Sequence, residues 1–392
     1  MAWPTKKLGE LTDICRGSSP RPICDTKYFE GGTVPWVKIA DATKSGKFLY
    51  ETKEHVNDYG ASFSRRLPPG TILVAASGTL GYTQILGVEG CAHDGWLILQ
   101  NLRDLDRDFA YYALKTLEQH FFNSGSGAAI QNINTDILRQ AEIPHPPVPV
   151  QRRIAGILSA YDELMENSQR RIRLLEAMAR ALYRECIRED GDSTSVKGIL
   201  ETDYWTFISA NVSPYGGTKR YYATADIEGL AVQGAGIDYT FAEKPSRAQK
   251  QPTPFSLWFA RMKDTYKIAW YSEVNAQSAD STILSSGFAG FQAVEPLYFP
   301  LLFLTVSSKE FHAQKDLYCT GATQMSLTNE GLSIIEVPAP TKRAARRLGE
   351  RTLPLLNQIL VLQLRIQNLR RTRDLLLPRL LSGQVSLAVN GT

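Results

Sequence analysis

Arg16, Ser18 and Arg21 crowd into "CRGSSPRP" (residues 15–22), a turn-forming stretch that carries two guanidinium groups and two hydroxyls. Similar mixtures recur. Lys38 ends the run "VPWVK", Thr43, Lys44 and Lys47 lie in "DATKSGKF" (residues 41–48), and Ser77 and Thr79 flank a glycine. Lys219, Arg220, Tyr221 and Thr224 fall in "GGTKRYYATAD" (residues 216–226). Arginine, lysine and hydroxyl side chains beside aromatic rings suit one chemistry above others: holding phosphate oxygens and reading base edges. Any one such loop is more often an ordinary solvated loop, so these residues are DNA-binding candidates that need support from elsewhere.

Bond-making chemistry is not legible. An amino-methyltransferase grips its base with an Asn/Asp-Pro-Pro-aromatic loop, and the nearest string, "PTPF" at Pro252, lacks the acid or amide. There is no G-x-x-x-x-G-K-[ST] loop. "NSGSGAA" from Asn123 is glycine-rich but does not follow a strand into a Rossmann crossover, and its later counterpart "CTGATQ" keeps one glycine; both read as turns. His93 and Asp94 are adjacent, so their side chains diverge and form a surface pair, not a catalytic dyad. The five cysteines form no Cys-x-x-Cys pair, and no His-x-x-x-His pair or acidic cluster stands out. The expectation is a chain with no catalytic residues, no metal site and no cofactor of its own, made for a reducing, cytoplasmic compartment.

A chain of 392 residues, 43% apolar and 21% charged, is globular and long enough for two domains or more. The net charge of +4 permits an anionic partner without demanding one. The longest apolar run, "LYFPLLFLTV" from Leu297, is too short to span a bilayer and contains Pro300.

The chain repeats itself. "SGAAIQNINTDILRQAEIPHPPVPVQRRIAGIL" from Ser126 aligns without gaps on "TGATQMSLTNEGLSIIEVPAPTKRAARRLGERT" from Thr320. At that offset of 194, Leu138 falls on Leu332, Glu142 on Glu336, Pro144 on Pro338, Arg152-Arg153 on Arg346-Arg347 and Arg171-Ile172 on Arg365-Ile366. Upstream, the two halves share almost nothing. Each repeat opens with an extended Pro-rich lead-in, where proline blocks helix, and continues as a long helix. In the first copy, Ile154, Tyr161, Ser168, Leu175 and Leu182 hold one heptad position, and Leu158, Met165, Ile172, Ala179 and Cys186 the other. In the second copy, Leu348, Leu355, Leu362, Leu369 and Leu376 alternate with Thr352, Ile359, Ile366, Arg373 and Leu380. A seven-residue repeat sustained over about four heptads is the mark of a coiled coil. Two such helices in one chain, separated by a globular segment, most simply pair antiparallel. Pro354 suggests a kink or late start and Pro378 a stop or kink near the end. From Thr341 to Arg379 ten basic residues stand against two acidic ones, a stretch suited to phosphate, to a partner or to solvent.

The variable segments read as α+β. "VPWVKIA", "GTILVAA" and "GWLILQ" read as strands, and "FAYYALKTLEQHFF" from Phe109 as a helix. "SLWFARM", "YKIAWYS" and "LYFPLLFLTV" in the second segment read as further apolar runs, with few clear helices.

This organisation resembles the DNA-specificity subunit of type I restriction-modification systems. "LRRTRDLLLPRLLSGQVSL" (Leu369–Leu387) is similar to that family's C-terminal conserved segment, and Ile143–Tyr183 to its central one. "LGELTDICRGSSP" and "VPWVKIADAT" look like openings of its target-recognition domains. "TKRAARR" departs from the family's usual Pro-Pro-Leu-x-x-Gln, and "LGEL" has no obvious second copy. The resemblance implies recognition domains at residues 1–145 and 194–337, with conserved helices at 146–193 and 338–392 forming an antiparallel coiled coil. It further implies that each domain reads half of a bipartite double-stranded DNA target. The helices, through the seam residues above, would dock two methyltransferase subunits, which carry S-adenosylmethionine, and restriction or translocase subunits would join. A coiled-coil scaffold that binds no DNA is the alternative, and a divergent methyltransferase or nuclease is a third that the missing loops disfavour.

Overall fold

A computed structural model describes residues 3–43, 45–124, 132–190, 195–322 and 324–385. The chain forms two compact units, residues 1–167 with 366–392, and residues 168–365. Each combines one variable segment with part of each long helix. The central helix spans Val148–Asp190 and the terminal helix Lys342–Leu381.

In the first unit a five-stranded sheet has the order Asp13–Arg16, Trp96–Gln100, Ile72–Ala75, Thr83–Leu86, Phe48–Leu49. Trp96–Gln100 alternates, as strand geometry requires. Leu97 and Leu99 pack with Phe109 and Tyr112 of the helix Arg107–Ser124 and with Ile154 and Leu158 of the central helix. Trp96 and Ile98 pack on the opposite side with Val37, Leu49 and Leu73. A four-stranded sheet follows, ordered Glu54–Val56, Val34–Val37, Gly90–Ala92, Arg65–Leu67, its middle pair parallel. The Pro-rich lead-in is extended, as expected: Glu142–Pro144 pairs with Thr5–Lys7.

The second unit repeats this strand order, short of one edge strand in its first sheet, without repeating the sequence. Its first sheet runs Trp205–Phe207, Phe288–Ala293, Ser256–Ala260, Ile268–Trp270. Its second runs Ile237–Tyr239, Lys219–Tyr222, Thr282–Ser285, Ala248–Lys250, again with a parallel middle pair. Ser195–Gly198 pairs with Glu336–Ala339. The short helices before the lead-ins, Thr135–Gln140 and Asn329–Ile334, coincide at the offset of 194, and Asn134 and Thr328 cap them alike.

One apolar run departs from the strand-like expectation. "LYFPLLFLTV" contains the helix Phe299–Val306, and all eight helical residues are buried. Pro300 sits in the first turn, where its missing N–H costs nothing. A helix enclosed on every side shows no amphipathic period, so the sequence disguised it. The terminal helix also runs through Pro354 and ends three residues past Pro378, before Gly383 in the left-handed conformation (φ 74°). Gly349 lets that helix approach closely, since a Cβ there would lie 2.0 Å from the Leu297 carbonyl oxygen.

Every expected seam residue of both helices is buried or half-buried. Within each unit the helix segments run antiparallel. In the first, Arg373 is ion-paired with Asp162; in the second, Arg347 reaches Glu189 at 2.9 Å and Arg351 reaches Glu185 at 3.3 Å.

Candidate nucleic-acid interface

In the first unit, three strand ends meet at one rim of the five-stranded sheet. Arg16 ends its strand opposite Leu97, and the Ala76 amide donates to the Gly95 carbonyl at 2.8 Å. The turn at His93–Gly95 therefore lies between "CRGSSPRP" and the Ser77 turn. Arg16 Nε donates to the Asp94 carbonyl at 2.7 Å, Arg21 is ion-paired with the Asp94 carboxylate, and the Asp94 amide donates to Ser19 Oγ at 3.2 Å. Ser64 Oγ donates to the Ser18 carbonyl at 2.6 Å, and Arg65 Nε to the Arg16 carbonyl at 2.8 Å. Gly17 is required here, because a Cβ would fall 2.2 Å from the His93 carbonyl oxygen. Lys38 joins from the end of Val34–Val37, 4.7 Å over the Trp36 ring and 2.6 Å from Glu54. Burial holds the His93 imidazole below its usual value. Lys38, Arg21 and Arg16 lower it further, and Asp94 opposes them. Arg16, Ser18, Arg21, Lys38 and Ser77 are thus brought together on a cationic, hydroxyl-bearing rim, with Thr79 exposed in the same turn.

The other candidates of this unit behave differently. Thr43 is exposed at the end of the helix Ile39–Ala42, and Lys44 lies outside the described residues. Lys47 turns inward: its side chain is 7% exposed, 2.6 Å from Asp108 and 2.7 Å from Ser159 of the central helix, and its ammonium lies 4.9 Å over the Tyr112 ring. Tyr112 in turn donates to Asp162 at 2.5 Å. A lysine read from its loop as solvent-facing ties the domain to its helices.

In the second unit, Lys219, Arg220 and Tyr221 lie along Lys219–Tyr222. Arg220 makes two bonds of 2.7 Å to Asp238, Lys219 donates to Gln251 at 2.7 Å, and the Thr224 carbonyl accepts from Lys267 at 3.1 Å. Lys219–Tyr222 holds the place of Val34–Val37, so Lys219 and Arg220 sit at the start of that strand, whereas Lys38 follows the end of its own.

Backbone hydrogen bonds locate the equivalent rim. Gly17 N to Trp96 O is matched by Ile208 N to Gly290 O, and Ala76 N to Gly95 O by Arg261 N to Gly287 O. Ile133 N to Ala76 O is matched by Leu327 N to Arg261 O. This rim carries cations that sequence reasoning missed. Lys250 Nζ donates to the Ser209 carbonyl at 3.0 Å and Asn211 Oδ1 at 3.1 Å. Arg261 donates to the Leu327 carbonyl and Asn329 Oδ1 and lies 5.9 Å over the Phe207 ring. Burial, then the neighbouring Arg261, lowers the Lys250 ammonium below its usual value. The signal was available in the run "RAQK" ahead of "SLWFAR", but only once both strands are placed in the topology.

Among the described residues, no group of three or more His, Cys, Asp or Glu is placed to hold a metal ion. Nor is any described helix long and apolar enough to cross a membrane.

Residues 2–177 match the family model for the type I restriction modification DNA specificity domain. That stretch is similar in sequence to a type I DNA-specificity domain. The family resemblance read from "LGELTDICRGSSP" and the central helix is borne out. Among curated proteins, the chain is 25% identical over 188 residues to the type I restriction enzyme MjaIX specificity subunit of Methanocaldococcus jannaschii, covering 46% of this chain and 43% of that one. It is 33% identical over 177 residues to a protein named as type I specificity subunit S.MgeORF438P of Mycoplasma genitalium, covering 42% of this chain and 39% of the relative. The matched stretch thus spans about two fifths of these relatives. In fold the likeness is wider. The type I restriction-modification S subunit from M. genitalium superposes with a TM-score of 0.60 at 17% identity, covering 97% of this chain and 96% of that one. The first unit and its topological counterpart in the second share one architecture: α+β, two globular domains and two long helices.

Proposed function

We propose that this chain is the non-catalytic, sequence-reading subunit of a type I restriction-modification complex in the cytoplasm, and that each rim described above reads one half of a bipartite double-stranded DNA target. The observation that carries the proposal is the pairing of a specificity-domain match with a second domain of the same topology and unlike loops. Shared strands with different rim side chains are what two separate half-site specificities require. The rims offer guanidinium, ammonium and hydroxyl donors, the groups that contact phosphates and base edges. The long helices would dock two methyltransferase subunits, which bring S-adenosylmethionine, and restriction or translocase subunits would join that assembly.

Exchange of residues 1–145 for the first domain of another specificity subunit tests the reading. Profiling of methylated sites in cells should show one half of the recognised sequence replaced and the other retained. A change in both halves would refute independent reading. DNA binding that is weak, and indifferent to salt, would favour a protein scaffold instead.

A further inference from the structure

The two long helices come from one repeated sequence, so each has two partners with the same apolar register: the other helix of its own chain, or the matching helix of a second copy. We infer that the Asp162–Arg373 ion pair decides between them and selects the pairing of unlike helices.

Asp162 and Arg373 face each other across the antiparallel seam with side chains 15% and 19% exposed. The offset of 194 carries Asp162 onto Leu356 and carries Ala179 onto Arg373. The corresponding seam position in the second unit is therefore Ala179 with Leu356, both fully buried in one apolar cluster. Were two central helices to pair in this register, each Asp162 would face an Ala179. Were two terminal helices to pair, each Arg373 would face a Leu356. Either arrangement sets a largely buried charge against an apolar group and removes its partner across the seam, which is unfavourable. Only the heterologous pairing neutralises both.

The neighbouring contacts of this pair and the two ion pairs of the second unit do not discriminate. Tyr112 donates to Asp162, and Arg373 also bonds its neighbour Asp374; both are local and survive any choice of helix. Arg347–Glu189 and Arg351–Glu185 are exposed bridges and contribute little. Arg153 takes the place of Arg347 in the central helix, so the bridge to Glu189 can form in homotypic pairing too. A single buried polar pair that fixes partner and register has precedent in coiled-coil physics.

The test uses two full-length variants, Asp162→Arg and Arg373→Asp. Each sets like charges across its own seam. Unfolded, mixed and refolded, the two variants restore opposite charges only between copies, since the new arginine meets the new aspartate and the untouched Asp162 meets the untouched Arg373. The expected result, by light scattering on copies with distinct mass tags, is a mixed dimer at least tenfold more abundant than in a wild-type mixture. A mixture as poor in dimer as the wild type overturns the inference. A second variant guards against misfolding: Asp162→Leu with Arg373→Ala copies the apolar pair of the second unit. It should fold and form more dimer on refolding than the wild type, since like helices can then pair without a lone charge, and a variant that stays as monomeric as the wild type counts against the lock.

Discussion

His312 shows how burial becomes a pH-dependent stability. It packs against Tyr266 with ring centroids 4.7 Å apart. Burial, then the positive charge of Lys315, pushes its imidazole from 6.5 down to about 4. A depressed native value means that the unfolded chain takes up the proton first as pH falls. Stability should therefore be full above about pH 6.5 and decline towards pH 4, by an amount on the order of 3 kcal/mol. In His312→Gln that part of the decline should vanish, which unfolding midpoints at about pH 7 and about pH 4.5 would reveal; equal slopes in both proteins would dismiss the residue. The rim cations make a second prediction at this scale. Arg16→Ala and Lys250→Ala should each weaken DNA binding and reduce the slope of log affinity against log salt by about one. If Lys219→Ala has the larger effect in the second domain, the equivalence of the two rims is wrong.

Helices and strands differ in how far a sequence betrays them. The long helices were legible because a seven-residue repeat is local, and the structure buries or half-buries each seam residue it named. Leu362→Lys, at 1% exposure, should cost at least about 3 kcal/mol. For a domain of this size that lowers the melting temperature by on the order of 10 °C. Leu174→Lys, at a position 65% exposed, should change it little; calorimetry that finds the two alike would mean a wrong register. The second domain's beginning was not legible, for a reason visible in its hydrogen bonds. Leu8 N donates to Ala141 O, and Ile199 N to Ile335 O. "GILE" (Gly198–Glu201) is therefore the counterpart of "KLGE", displaced from the fixed offset by loop-length changes that hide equivalent strands. The direction of a loop side chain is harder still. Nothing local to "DATKSGKF" states that Lys47 turns towards Asp108 and Ser159, because those partners arrive from distant helices.

At the scale of the whole molecule, the proposed reading turns the paired helices into a ruler between half-sites. One added heptad in each, after Gln169 and after Gln363, returns every seam residue to the same face. Both insertion points correspond at the offset of 194. Each helix lengthens by about 10 Å at about 1.5 Å per residue. DNA rises about 3.4 Å per base pair, so the unread gap should grow by about three base pairs while both half-site sequences stay unchanged. Three base pairs also rotate the second half-site by roughly 100° about the DNA axis, given about ten base pairs per turn. Supercoiling of the lengthened helices or deformation of the unread DNA must absorb that rotation, so affinity should fall as the gap widens. The measurement is a methylation-site profile of the double-insertion variant, with thermal unfolding to confirm that the seam survives. Activity retained at the original gap would show that the spacing is set elsewhere than in the helices.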